Sequence, residues 1–167
     1  MIDNTIYRFN VNKLNGEEIS LSEYKDKVLL IVNTASQCGF APQIKDLVDL
    51  KKEFEGKDFE VLAFPSNDFG AQEPLDGEGL AQFCEIQRVN YPVFEKIRVR
   101  GPYAHPLYKF FADKKENGKL QSVPRWNFHK FIVSKNGLLT DFYFPFTKPD
   151  SSRIRKQISR LLAASGK

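Results

Sequence analysis

The chain has 167 residues, 41% of them hydrophobic and 28% charged, with a formal net charge of +4. That length suits one domain spanning residues 1–167 with a sizeable core, and no apolar run approaches the roughly 18–20 residues that a membrane-crossing helix needs. Lys and Arg are interleaved with acids, as in Lys51-Lys52-Glu53 and Lys114-Lys115-Glu116, so no phosphate-tracking patch forms and nucleic acid is not an expected partner. The densest basic group, Arg153, Arg155, Lys156 and Arg160, reads as the solvated face of a helix. The opening residues Met1-Ile2-Asp3-Asn4 lack the basic-then-apolar layout of a secretory signal, and the expected location is cytoplasmic.

In chain order, two short segments near Ile6–Val11 and Glu18–Leu21 fit an N-terminal hairpin. Val28-Leu29-Leu30-Ile31-Val32 is a continuous β-branched and aliphatic run, the pattern of a strand buried on both faces. A loop from Asn33 to Phe40 follows, and then Pro42, well suited to a helix's first turn. Ile44, Leu47, Val48 and Phe54 recur at helical spacing. Phe59 to Phe64 is a second buried strand, closed by Pro65-Ser66-Asn67-Asp68. A strand–helix–strand unit of this kind implies parallel strands.

Leu80, Phe83, Cys84 and Gln87 predict another helix, as do Leu107, Phe110 and Phe111 after Pro106. Phe131-Ile132-Val133, Asn136-Gly137 and Leu138 to Phe144 predict a hairpin, with Asn-Gly suited to a type I′ turn. Ile154, Ile158, Leu161 and Leu162 mark a terminal amphipathic helix. The order is that of an α/β, thioredoxin-like fold with a central mixed sheet flanked by helices.

The two cysteines, Cys38 and Cys84, are too few for a disulfide scaffold. They form no C-x-x-C pair and no cluster with metal-ligand spacing, so neither a metal nor another cofactor is expected. Cys38 follows the first central strand and precedes its crossover helix. That is where ligands collect in open α/β sheets and where helix-terminal N–H groups favour thiolate over thiol. Its neighbours Ser36, Gln37 and Gly39 argue against a greasy structural burial. The run Cys38-Gly39-Phe40-Ala41 lacks the second cysteine of a dithiol oxidoreductase. Ala35 and Ile31 stand where a peroxiredoxin carries Thr (or Ser) and Pro.

Three blocks then resemble the glutathione peroxidase family. Asn33-Thr34-Ala35-Ser36-Gln37-Cys38-Gly39-Phe40 is similar to its N-V-A-S-x-C-G block. Phe64-Pro65-Ser66-Asn67-Asp68-Phe69-Gly70-Ala71-Gln72-Glu73-Pro74 is similar to its F-P-C-N-Q-F-G-x-Q-E-P block, with Ser66 and Asp68 replacing Cys and Gln. Trp126-Asn127-Phe128-His129-Lys130-Phe131 matches W-N-F-x-K-F. The resemblance implies a peroxidase with a catalytic group of Cys38, Gln72, Trp126 and Asn127. The amides and the indole would act as neutral N–H donors to the sulfur and to the departing oxygen. Asp68 would weaken a thiolate if it pointed inward, so it is expected to point outward or to cap the loop.

The resemblance also gives Cys84 a role. Relatives that use thioredoxin carry a resolving cysteine eight residues before a proline, and Cys84 precedes Pro92 by eight residues. A disulfide needs Cα atoms within about 7 Å, so a helical Cys84 requires a marginal helix that unwinds locally. The expected partners are a hydroperoxide and a thiol reductant, thioredoxin rather than glutathione. A peroxide sensor passing its disulfide to a partner protein, and a glutathione-dependent peroxidase, are the alternatives. Family members with selenium hold it where Cys38 stands, and the presence of Cys84 favours a native cysteine enzyme. The short segment between His105 and Trp126 resembles that of monomeric, phospholipid-hydroperoxide-type members. His105 is expected to start a helix and His129 to be structural or solvent-facing.

Overall fold

The computed structural model describes residues 3–164; Met1, Ile2 and residues 165–167, which the expected domain 1–167 includes, lie outside the described residues. Eleven elements matter here. They are β1 (Asn10–Asn12), β2 (Glu18–Ser20), β3 (Val28–Thr34), α1 (Gln43–Glu53), β4 (Phe59–Pro65), α2 (Gly77–Ile86), α3 (Pro106–Ala112), α4 (Lys114–Asn117), β5 (Lys130–Val133), β6 (Leu139–Tyr143) and α5 (Ser152–Ala163).

The main sheet has the order β4-β3-β5-β6. β3 pairs parallel with β4, Val28 facing Phe59 and Thr34 facing Pro65, as the crossover through α1 requires. β3 pairs antiparallel with β5 from Leu29–Val133 to Val32–Lys130. β5 continues antiparallel to β6 with an irregularity at Ile132/Val133. All seven residues of β3 are buried, because helices and loops cover both of its faces. On one face Leu29, Ile31, Leu62, Phe64 and Phe131 pack with Leu107, Tyr108, Phe110 and Phe111. On the other, Leu30, Val32, Val61, Ala63 and Ile132 pack with Leu47, Val48, Ile154 and Ile158.

Two local expectations are corrected. β1 begins at Asn10, and Ile6–Arg8 is a tight helical turn because the Thr5 side chain accepts from Tyr7 N. The β5–β6 turn is not type I′: Gly137 has φ +80° but Asn136 is not left-handed. Gly137 N donates to Ser134 O and Ser134 N to Leu138 O. That is a type I turn followed by a left-handed glycine, the three-residue loop that also preserves strand twist. Glycine is required there, since a Cβ would lie 2.6 Å from Tyr7.

α5 carries its basic side chains outward, with Arg155 paired to Glu53 at 2.8 Å and Arg153 stacked over Tyr143. No described helix is long and apolar enough to cross a membrane.

Candidate active site

Three loops meet at one end of the sheet. The first leaves the C-terminal end of β3 and carries Cys38. The second leaves the C-terminal end of the parallel strand β4 and carries Gln72. The third enters β5, and because β5 runs antiparallel to β3 its N-terminal end, with Trp126 and Asn127, arrives at the same edge. Sheet direction therefore gathers residues nearly ninety positions apart in sequence.

The loops are stitched together by backbone bonds. Phe128 N donates to Asn33 O at 2.6 Å, and Gln37 N donates to Gln72 O at 3.0 Å. Asn33 Nδ2 donates to Trp126 O at 3.1 Å. Phe128 has φ +70°, the left-handed conformation by which the chain turns into β5.

Cys38 is buried, with 6% of its surface exposed, and both cysteines are free thiols. Phe40 N donates to Cys38 Sγ at 3.4 Å. This donor belongs to the turn ahead of α1, closed by Ala41 N to Cys38 O. α1 itself starts only at Gln43, so the nearest amide comes from this turn and not from the first turn of the helix.

Asn127 is fully buried and donates through Nδ2 to Gln72 Oε1 at 3.1 Å and to Phe69 O at 3.4 Å. Both donations orient the neighbouring loop, and the first fixes which end of the Gln72 amide is accepting. Among the described residues neither Gln72 Nε2 nor the Trp126 indole spends its hydrogen bond elsewhere. Trp126 is half-buried between the two cores and packs against the cluster that contains Cys38. Its ring rests on Phe69 at 5.5 Å. Gly70, at φ +66°, lies beneath it, so close that a Cβ there would sit 3.2 Å from the indole.

Asp68 caps its loop. It accepts from Arg98 Nε, Val99 N and Arg100 N at 3.0, 2.7 and 3.3 Å. Its charge is thereby consumed by donors outside the cysteine loop.

His105 caps α3, its Nδ1 accepting from Leu107 N at 3.1 Å. His129 is buried against Phe142, 3.0 Å from Ser122 Oγ. Burial, with help from the cations Lys130 and Arg125, pushes its pKa down to about 4. It is a neutral packing element.

Cys84 sits on α2, half-buried, in a small cavity of about 20 Å³ that Thr34, Ser36 and Glu73 also line. Burial and the nearby Glu73 charge raise its thiol pKa. α2 is weakly built. Its N-cap Asp76 makes no capping hydrogen bond, Leu80 is its one buried residue, and it carries Gly79 in its interior, which costs about 1 kcal/mol relative to alanine.

Two residues escaped the sequence reading. Glu73 is buried to 2% exposure, and its carboxylate accepts from Ser36 N and Ser36 Oγ at 2.9 and 2.8 Å. Lys130 is fully buried, donates to Phe128 O and Pro145 O, and burial lowers its pKa to about 7. Both lie inside the quoted blocks, but a charged residue in a loop or strand carries no periodic sign of burial.

A sequence profile described as glutathione peroxidase matches residues 6–112. The chain belongs to the glutathione peroxidase family. It is accordingly a peroxidase, an oxidoreductase that reduces peroxide. Hydroperoxy fatty acid reductase gpx1 of Synechocystis is 43% identical over 167 residues, covering 96% of this chain and 97% of that protein. The crystal structure of Trgpx in its apo form superposes with a TM-score of 0.76 at 35% identity, covering 98% of this chain and 99% of that one. A thioredoxin-family thiol:disulfide interchange protein from Chlorobium tepidum superposes with a TM-score of 0.64 at 18% identity, covering 95% and 96%. That likeness concerns the fold, which is thioredoxin-like. Among the described residues no group of three His, Cys, Asp or Glu could hold a metal ion.

Proposed function

We propose that this glutathione peroxidase family member works as a two-cysteine thiol peroxidase, with Cys38 attacking the peroxide and Cys84 resolving the product. The observation that carries this reading is the convergence of the Cys38, Gln72 and Trp126-Asn127 loops on one sheet edge. The Cys38 thiolate attacks one peroxide oxygen; the S–O bond forms as the O–O bond breaks, and sulfur gives up two electrons. The departing hydroxide or alkoxide takes a proton and leaves as water or alcohol, with Cys38 as a sulfenic acid. Gln72 and Trp126 supply neutral N–H donors for the charge on sulfur and oxygen, and Asn127 holds the Gln72 amide in place.

Cys84 then attacks the Cys38 sulfur. The S–S bond forms, the S–O bond breaks, and hydroxide leaves as water with a proton. Weak capping and the interior Gly79 support local unwinding of α2 for this step. A dithiol such as thioredoxin reduces the disulfide, in the cytoplasm, with the enzyme acting as a monomer. The name of the Synechocystis relative supports fatty-acid hydroperoxides as substrates alongside hydrogen peroxide.

The test is NADPH-coupled turnover with thioredoxin and its reductase, compared with glutathione and its reductase. Thioredoxin should sustain many turnovers and glutathione few, and Cys84→Ser should remove the difference. Oxidation by one equivalent of peroxide should give a Cys38–Cys84 peptide by mass. Recovery of Cys38 only as sulfinic acid, with Cys84 free, refutes the resolving step.

A further inference from the structure

The Glu73 carboxylate ties the Cys38 loop to the segment that enters α2. On one side it holds Ser36, two residues before Cys38, by both backbone N and Oγ. On the other side it accepts from Leu75 N at 3.3 Å, in the segment that leads into α2. Glu73 N donates to Asn67 Oδ1 at 2.9 Å, which fixes the residue from its own main chain. Ser36, Glu73 and Cys84 line the same small cavity, so the carboxylate stands in the wall between the Cys38 loop and the Cys84 thiol.

A buried carboxylate usually calls for a cation. None of the ion pairs among the described residues involves Glu73, and the nearby ammonium, Lys96 Nζ, donates to the Glu73 carbonyl and not to its carboxylate. Three donors carry the charge instead, two from Ser36 and one from Leu75 in the loop of Glu73 itself. Such bonds to a charged acceptor are strong, yet the two from Ser36 are lost if the Cys38 loop parts from the segment that carries Glu73.

We propose that Glu73 is a positioning residue that times the resolving step: it clasps the Cys38 loop to the segment entering α2, and disulfide formation proceeds when the clasp opens. The inference rests on the two-cysteine reading above. The titratable groups lining the cavity with Cys84 are Glu73 and Tyr91. Tyr91 donates its hydroxyl to Ile44 O, and burial keeps it protonated far above neutral pH. Glu73 is therefore the charge there that acts on the Cys84 thiol near neutral pH. Burial first, and the Glu73 charge after it, hold Cys84 as the poorly nucleophilic thiol while the clasp is closed.

The experiment is rapid-quench alkylation and peptide mass after one equivalent of hydrogen peroxide, across pH 6 to 9, on wild type, Glu73→Gln and Ser36→Ala. A glutamine presents one acceptor where two are used and removes the charge. Glu73→Gln should form the Cys38–Cys84 disulfide about three- to tenfold faster, and the midpoint of its pH dependence should move downward. Ser36→Ala loses the Oγ bond alone. It should also speed the step while leaving the midpoint where wild type has it, and it keeps the test decisive if Glu73→Gln does not fold. Wild-type rates in both variants, or a slower step, overturn the clasp. An unmoved midpoint in a folded Glu73→Gln overturns it as well. A wild type that forms no Cys38–Cys84 disulfide refutes the two-cysteine reading itself, and the clasp with it; a normal wild-type disulfide with unaffected variants refutes the clasp alone.

Discussion

Asn127 donates to Gln72 Oε1 at 3.1 Å across 55 positions of sequence, and this bond decides which end of the Gln72 amide faces as a donor. With its other amide hydrogen given to Phe69 O, Asn127 is a positioning residue for Gln72 and not the direct donor to sulfur that the family resemblance implied. Replacing Asn127 with Ala should lower the second-order rate of Cys38 oxidation by about ten- to a hundredfold, less than the roughly hundred- to thousandfold that loss of a direct preorganised donor costs, because Asn127 acts through Gln72. Stopped-flow fluorescence of Trp126, the chain's one tryptophan, measures that rate. An unchanged rate would remove Asn127 from the reaction.

Gly70 supports the indole from below. Its φ of +66° and the 3.2 Å gap that a Cβ would leave to Trp126 make alanine doubly unfavourable. Gly70→Ala should shift the tryptophan emission and slow peroxide reduction while retaining the fold by circular dichroism. Loss of activity without any change in the emission would point to a cause other than Trp126.

Gly79 offers the opposite manipulation. It lies inside α2 and does not occupy a left-handed conformation, and an added Cβ would make ordinary contact with Leu75 at 3.6 Å. Gly79→Ala should stabilise α2 by about 0.5–1 kcal/mol. If α2 unwinds for Cys84 to resolve Cys38, the same change should slow disulfide formation about two- to fivefold and leave Cys38 oxidation untouched. Amide hydrogen exchange in α2 and the rapid-quench assay measure the two effects separately.

His129 should make stability fall on acidification. Its folded pKa of about 4 lies below the unfolded value of 6.5, so between these values the unfolded chain binds the extra proton. Stability is then full above pH 6.5 and is lost as pH falls from 6.5 toward 4, by about 1–3 kcal/mol from this group. Urea unfolding at pH 7 and pH 5 measures it. His129→Phe, which fills the same aromatic site, should show a smaller loss over that interval. An identical loss in both proteins would rule His129 out as its source.

Much of this was written in the sequence. The buried run Val28–Val32, the helical stripe from Ile44 to Phe54 and the strand from Phe59 each carry their period or apolar density locally, so the parallel unit was legible. The three blocks around Cys38, Gln72 and Trp126-Asn127 fixed the family resemblance and the candidate residues. The strand expected near Ile6–Val11 begins only at Asn10 because a single side-chain cap, Thr5 on Tyr7 N, outweighs a short β-like pattern over Ile6–Arg8. The type I′ expectation at Asn136-Gly137 failed because the dipeptide also fits a longer loop, and the pairing of Ser134 with Leu138 made the choice. What tertiary structure alone decided is how charges are used. Lys130 became a buried brace between Phe128 and Pro145, and Glu73 a bridge from the Cys38 loop toward α2, whereas the capping role of Asp68 was already expected. Patterning reports which side chains avoid water, and a charged residue enters the interior only when several distant donors or acceptors meet it there. That meeting depends on three-dimensional convergence, which no local window of the chain contains.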